Sequence, residues 1–186
     1  CRMLREKGVH TTGIDPTQKL IAAARERDPN GDYELGHAEK LSFENETFDL
    51  VISYLTLIDI ENFRAAIGEM ARVLRPGGKL VLANLTSMTT ATPHGWRRDE
   101  NGHKLFWTLS DYTTERAEWA EWRDIRVINW HRPLSAYMQA FLAAHLVLEH
   151  FDEPIPTPHQ LSQAPELCDH KEKPDFVTMR WAKPRI

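Results

Sequence analysis

The 186-residue chain is long enough for one domain with a buried core, and its 41% hydrophobic and 27% charged residues are those of an ordinary folded protein rather than a disordered or fibrous one. A formal net charge of -4, with basic residues spread along the chain, excludes a concentrated nucleic-acid footprint. No apolar run reaches membrane-spanning length and no leader segment is visible. Cys1 and Cys168 are the two cysteines and neither sits in a CxxC pair, which argues against a disulfide framework or a thiolate zinc site and fits a reducing cytoplasm.

Cys1 to Lys7 reads as the end of a helix stopped by Gly8, so residues are expected upstream. Val9 to Ile14 follows as a short strand ending at Asp15. Pro16 opens the next helix, where a missing N–H costs nothing, and Leu20, Ile21 and Ala24 recur at helical spacing to about Arg27. Asp28 to Gly31 is a turn, Asp32 to Leu35 a strand, and Gly36 to Thr47 a polar loop. Phe48 to Tyr54 (FDLVISY) is a continuous apolar run, as expected of a strand covered on both faces. Phe63, Ile67, Met70 and Leu74 mark the buried stripe of a helix, with Arg72 and Arg75 complementing its dipole and Pro76-Gly77-Gly78 ending it. Lys79 to Leu85 is another buried strand.

Thr86 to His131 is polar but carries five tryptophans and two strand-like stretches, Lys104 to Leu109 and Ile125 to Trp130, and reads as a cap inserted over the sheet. Ser135 then caps a helix of about three turns (AYMQAFLAAH). Leu146 to Phe151 and Phe176 to Trp181 are the last strands, with a proline-bearing loop from Pro154 to Pro174 between them. The alternation of strand and helix in the first half predicts an α/β fold with a mostly parallel sheet.

In such a sheet ligands bind outside the carboxyl ends of the strands. A carboxylate at Asp15 can accept from both hydroxyls of a ribose, or can cap the following helix, or do both. Gly36-His37-Ala38-Glu39 turns after the second strand, either along a flat ring or as a plain surface loop. Ser53 and Tyr54 end the FDLVIS strand, beside a ligand or as strand-end packing.

Taken in order, GIDPT, GHAEKLSF, FDLVISYLTLIDI and EMARVLRPGGKLVLANL resemble the class I SAM-dependent methyltransferases, and within them the small-molecule group related to ubiquinone biosynthesis. The resemblance covers residues 8 to 85 strongly and continues more weakly from His131 to Pro154. It implies a Rossmann-like, mostly parallel sheet with helices on both faces, an antiparallel last strand, a cap at about 86–131, and one domain over 1–186 that is incomplete at its N-terminus. It implies S-adenosyl-L-methionine (SAM) as cofactor: Asp15 on the ribose hydroxyls, Ile14 and Pro16 lining the adenosine pocket, His37, Ala38 and Glu39 against adenine, and Ser53 and Tyr54 near the methionine part.

The chain departs from the family's pattern at two points. His37 stands where the family usually has an Asp that accepts from the adenine amino group; a histidine ring nitrogen can also accept. The first strand and its glycine-rich GxGxG loop, which lie mid-sheet in the family, are absent from these residues. A gap is therefore expected between the strands ending at Asp15 and Ser53, filled by upstream residues, by another chain, or closed by re-pairing.

The acceptor is expected to be a small, partly apolar molecule, with Trp107 and Tyr112 of the cap as contacts or as cap packing. His131 is the candidate general base, or a structural histidine hydrogen-bonded at the helix entry. The nine histidines include no spacing that makes a metal site expected. Neither nucleic acid nor membrane is an expected partner, and the oligomeric state is open to a homo-oligomer. The competing readings are a non-catalytic methyltransferase-like subunit and a nicotinamide-dependent oxidoreductase; RVLRPGGKLVLANL and the Trp-rich cap argue against the latter.

Overall fold

A computed structural model describes residues 1–92, 95–122 and 125–185. Its best-packed part is a four-stranded sheet with two helices against one face. The strands are β3 (Phe48–Tyr54), β4 (Leu74–Leu85), β10 (Phe176–Ala182) and β9 (Val147–Asp152), in the order β3-β4-β10-β9. β3 runs parallel to β4, while β10 is antiparallel to both β4 and β9.

The helix α3 (Phe63–Val73) starts where the Asn62 side chain accepts from the Ala65 N–H at 3.2 Å. Phe63, Ala66, Ile67, Met70 and Ala71 then recur on one face and are buried. They pack with α5 (Leu134–Ala143) over Leu80 and Leu82 of β4 and Val177, Met179 and Trp181 of β10. Trp181 is fully buried, its ring stacked on Phe141 with centroids 4.7 Å apart. The even positions of β4 and the odd positions of β10 face this core, as the two-residue period of a strand requires.

The other face differs. Leu50 and Ile52 of β3 are 41% and 49% exposed, and Val81 and Phe176 are exposed beside them. The expectation that β3 is covered on both faces is corrected here. Its apolar run is continuous, yet among the described residues the packed helices α3 and α5 lie on one side of it.

A second, smaller unit holds β1 (Thr12–Asp15) and β2 (Asp32–Leu35), paired in parallel and joined by α2 (Gln18–Arg27). Its packing is thin: Ile21 is the one buried apolar residue, and polar ties do much of the joining. Asp28 accepts from Arg5 at 2.7 Å and from the Tyr33 hydroxyl at 2.9 Å. α1 (Arg2–Arg5) precedes this unit. Among the described residues, β1 pairs with β2 alone and β3 with β4 alone, so the strands ending at Asp15 and at Tyr54 are not joined. The expected gap is present and has not been closed by re-pairing.

Between β4 and α5 the chain forms α4 (Ser87–Thr90) and two hairpins. One is β5 (Trp96–Arg98) with β6 (Lys104–Trp107), the other β7 (Arg116–Trp122) with β8 (Ile125–His131). The sequence reading missed β5 and β7. The Pro154–Pro174 stretch, expected as a loop, holds α6 (Pro158–Gln163) and a 3-10 segment (Pro165–Lys171).

Three boundaries move. Ser135 is not the cap of α5, which begins two residues earlier than expected, at Leu134 after Pro133. The first strand starts at Thr12, not Val9. The Pro76-Gly77-Gly78 turn lies inside β4 rather than at the end of α3: Leu74 pairs with Phe48, and after the irregularity Lys79 pairs with Leu50. Gly77 has φ +84°, and a Cβ on Gly78 would sit 2.8 Å from the Arg75 carbonyl oxygen, so the turn needs both glycines.

Candidate functional site

The carboxyl ends of β1 and β2 lie side by side. Asp15 pairs in register with Leu35, and the Gly36 N–H donates to the Asp15 carbonyl at 3.1 Å. The Asp15 carboxylate is partly exposed. Oδ1 accepts from the Thr17 N–H at 2.7 Å, which opens α2, and no bond to Oδ2 is made among the described residues. Both readings of this residue therefore coexist: one oxygen orders the helix entry and the other is available. A Cβ on Gly36 would lie 3.3 Å from Ile14 Cγ2, so the chain passes Ile14 closely and a larger residue would make that side chain give way. Ile14, Gly36, His37, Lys40 and Leu41 border a cleft of about 120 Å³ there.

A second cleft, about 190 Å³, occupies the gap between β1 and β3. Thr12, Ile14 and Ala38 line one side; Leu50, Ile52, Ser53 and Thr56 line the other. Ile14, Ala38 and Ser53 are thus brought to one cleft. Pro16, Glu39 and Tyr54 are not among the residues lining it, and Tyr54 is 73% exposed. Just beyond Tyr54, Leu55 takes a left-handed backbone (φ 51°), a costly conformation for a branched residue. Its N–H donates to the Ala83 carbonyl at 2.8 Å, which fixes the bend at the strand's end.

The loop from Gly36 to Phe43 is held from α3. Glu69 accepts from the Leu41 N–H at 2.8 Å, and Arg72 donates to the carbonyls of Phe43 and Leu41 at 2.8 and 3.2 Å. Arg72 also binds Glu69, and that guanidinium holds the Glu69 carboxyl below the usual carboxylate range. Arg72 sits at the helix end as expected, but its main work is to clamp this loop. Arg75 lies past the helix, paired with Asp49 at 3.0 Å.

The cap is fastened across the carboxyl edge of β3. The Trp130 N–H donates to the Ile58 carbonyl at 2.6 Å. Arg132, buried, donates to the carbonyls of Leu57, Ile60 and Glu61 at 2.9, 2.6 and 2.8 Å and lies over the Phe63 ring at 4.3 Å. Sequence reasoning did not single out Arg132. Its partners are main-chain carbonyls more than seventy residues away, and no spacing could reveal them.

His131 is buried, and both of its ring nitrogens are engaged. Nε2 lies 2.9 Å from the Tyr112 carbonyl, to which it must donate, so Nδ1 accepts from the Thr90 hydroxyl at 2.8 Å. Burial pushes its pKa down. A neutral histidine with both nitrogens engaged ties the cap to α4 and has no lone pair left for a substrate proton. Trp107 donates to the Met88 carbonyl at 3.3 Å and packs edge-on against Trp96, with the Lys173 ammonium 4.1 Å from its ring centre. Tyr112 lines a cavity of about 210 Å³ at the end of β4, and Trp107 does not. Among the described residues no group of three or more His, Cys, Asp or Glu is placed to hold a metal, and no helix is long and apolar enough to cross a membrane.

With this geometry in place, the comparisons with known proteins are specific. Residues 1–82 match the family described as a methyltransferase domain. The chain is 34% identical over 84 residues to the demethylmenaquinone methyltransferase of Corynebacterium glutamicum (strain R), which is 45% of this chain and 36% of that protein. It spans about a third of the length of the curated relatives it matches. Its fold matches the crystal structure of an S-adenosylmethionine-dependent methyltransferase from Mesorhizobium loti. The TM-score is 0.85 and the identity 26%, over 98% of this chain and 84% of that one. A Listeria monocytogenes structure described in similar terms gives a TM-score of 0.82 at 25% identity, over 94% of this chain and 79% of that one.

Proposed function

We propose that the chain is a SAM-dependent methyltransferase, as the match of its first 82 residues and its fold suggest, and that it serves methyl transfer from SAM to a small-molecule acceptor. The observation that carries this reading is the pairing of a half-free carboxylate, Asp15, with the tight Gly36 turn at the carboxyl edge of two parallel strands.

The residues present fit the nucleoside end of the cofactor. Asp15 Oδ2 is free to accept from ribose hydroxyls, and Ile14 and Pro16 flank it. His37, Ala38 and Glu39 follow the turn at which adenine would lie, where an imidazole nitrogen can accept from its amino group. Ser53 and Tyr54 stand across the gap, toward the methionine end. Among the described residues no cationic side chain that could meet a carboxylate lines the cleft there.

When bound, SAM supplies a methyl group already activated for transfer. The task left to the chain is to orient and to exclude water. The cap, fastened by Trp130 and Arg132 over the end of β3, suits the second role. Tyr112 is the cap residue placed to meet an acceptor. Trp107 and His131 hold the cap and α4 together. Cys1 and Cys168 are free and exposed, which suits a reducing, cytoplasmic setting.

A second reading is a methyltransferase-like module that binds without catalysing, which the engagement of both His131 ring nitrogens favours. Titration calorimetry with S-adenosylhomocysteine, with NADH, and then a turnover assay separates the cases. Saturable binding of S-adenosylhomocysteine but not NADH is the result the proposal requires. Binding of NADH alone, or of neither ligand, overturns it, and binding with no turnover on any acceptor leaves the second reading standing.

A further inference from the structure

At the carboxyl end of β4 lies a cavity of about 210 Å³ that the cofactor reading does not use. Its walls are mostly apolar, with Leu82 and Met179 from the sheet, Phe141 from α5 and Tyr112 from the cap. The Tyr112 hydroxyl is already engaged, accepting from the Leu134 N–H at 3.3 Å. Two fully buried polar groups on its lining residues are not, among the described residues. Asn84 is 3% exposed and its side-chain carbonyl oxygen is buried with no partner among the described residues; Tyr137 is 6% exposed and its hydroxyl is in the same condition. Nearly all buried polar groups in folded proteins are paired, so two unpaired ones on a single cavity wall mark a place where something else completes them.

The cavity's position is also informative. Ala83, beside Asn84, pairs with Tyr54, and strands lie about 4.8 Å apart, so the cavity opens one strand over from the end of β3. That is the carboxyl edge of the sheet, where ligands of such folds bind, and on the side away from Asp15. We infer that this cavity receives the acceptor, and that the acceptor is an uncharged, largely apolar molecule carrying a hydroxyl that meets Asn84 and Tyr137.

The inference rests on the methyl-transfer reading for the word acceptor, but the binding chemistry stands on the cavity alone. Asn84 offers an acceptor oxygen and Tyr137 a hydroxyl that can donate. An alcohol or phenol can donate to the first and accept from the second. A ketone or ether, which only accepts, cannot serve the unpaired Asn84 oxygen. Among the described residues no lysine or arginine lines the cavity, and the one acidic residue that does is the exposed Glu153, so a carboxylate ligand meets no counter-charge from them. A dry apolar cavity of about 150 Å³ holds benzene, so this one has room for a substituted or fused ring.

The test uses 2-naphthol, naphthalene and 2-naphthoate as probes, titrated by ligand-observed NMR into the wild type, Asn84→Leu and Tyr137→Phe. The expected result is that 2-naphthol binds at least tenfold more tightly than the other two, and that each substitution weakens 2-naphthol about tenfold while leaving naphthalene unchanged or tighter. Tyr137→Phe is nearly isosteric and Asn84→Leu removes an unpaired group, so thermal midpoints at or above that of the wild type are expected as well. Equal affinity for 2-naphthol and naphthalene in the wild type overturns the inference, and so does 2-naphthol binding that neither substitution weakens. S-adenosylhomocysteine binding is read separately. If it is lost while hydroxyl selectivity persists, the cofactor reading fails and the pocket stands. If it persists without hydroxyl selectivity, the pocket assignment fails and the cofactor reading stands.

Discussion

The four-stranded sheet and the β1–β2 unit are built on different principles. In the former, α3 and α5 close one face of the sheet, and the fully buried side chains from Phe63 to Trp181 form one continuous core. In the latter, two short strands and a ten-residue helix bury a single apolar residue and rely on the Arg5–Asp28–Tyr33 ties. The residues that most closely resemble a cofactor site, from Ile14 to Glu39, belong to the thinly packed unit. Stability is therefore concentrated in one part of the molecule and the proposed cofactor recognition in the other. Losing function without unfolding should be easy in the small unit and hard in the sheet.

The sharpest way to break that contrast is to cut into the core. Trp181→Ala removes a fully buried ring stacked on Phe141 and should cost about 3–5 kcal/mol in chemical denaturation. A cost below about 1 kcal/mol would show that the sheet is not the stable half. Arg132→Ala should follow at about 2–4 kcal/mol, because it strips three carbonyls, one of them buried, of their donor and loosens the cap from the Leu57–Glu61 loop. Arg132→Lys should recover little of it, since an ammonium cannot reproduce the planar fork.

His131 gives a smaller, pH-dependent effect. Its folded-state pKa is depressed by burial, so the unfolded chain binds the proton more readily. The stabilisation is fully present above the ordinary histidine value of about 6.5 and is lost as pH falls below it toward the folded-state pKa, at no more than about 1.4 kcal/mol per pH unit. Unfolding midpoints at pH 7.5 and 5.5 should show His131→Gln with a flatter profile than the wild type. An identical slope would contradict the buried, doubly bonded histidine.

The smallest effect is expected on the open face. Ile52→Ser should change stability by no more than about 0.5 kcal/mol, since Ile52 is half exposed beside the gap. A cost above about 2 kcal/mol would mean that the gap is filled in solution, and the comparison between the two units would have to be redrawn.

Much of this architecture was legible in the sequence because its strands announce themselves as short apolar runs ending at Asp15, Tyr54 and Leu85, with glycine-marked turns between them. The gap itself followed from the family resemblance. What was not legible depends on distant partners. FDLVISY reads as covered on both faces because periodicity cannot say whether a helix is present on the second face. The cap strands β5 and β7 are short and carry Arg, Glu and Trp rather than an alternating apolar pattern. Asn84 looks like an ordinary strand end until α5 buries it. One signal was readable and passed over: Thr157-Pro158 with Gln160 is a capping box, and α6 begins there.

The central claim is that the thinly packed unit holds the nucleoside end of the cofactor through Asp15. Titration calorimetry of S-adenosylhomocysteine against the wild type and Asp15→Asn tests it most directly. The amide keeps an oxygen to accept from the Thr17 N–H but removes the charge that ribose hydroxyls would meet. The account predicts at least a tenfold loss of affinity, about 1.4 kcal/mol, with the unfolding midpoint in denaturant unchanged. Equal affinity in the two proteins would contradict it.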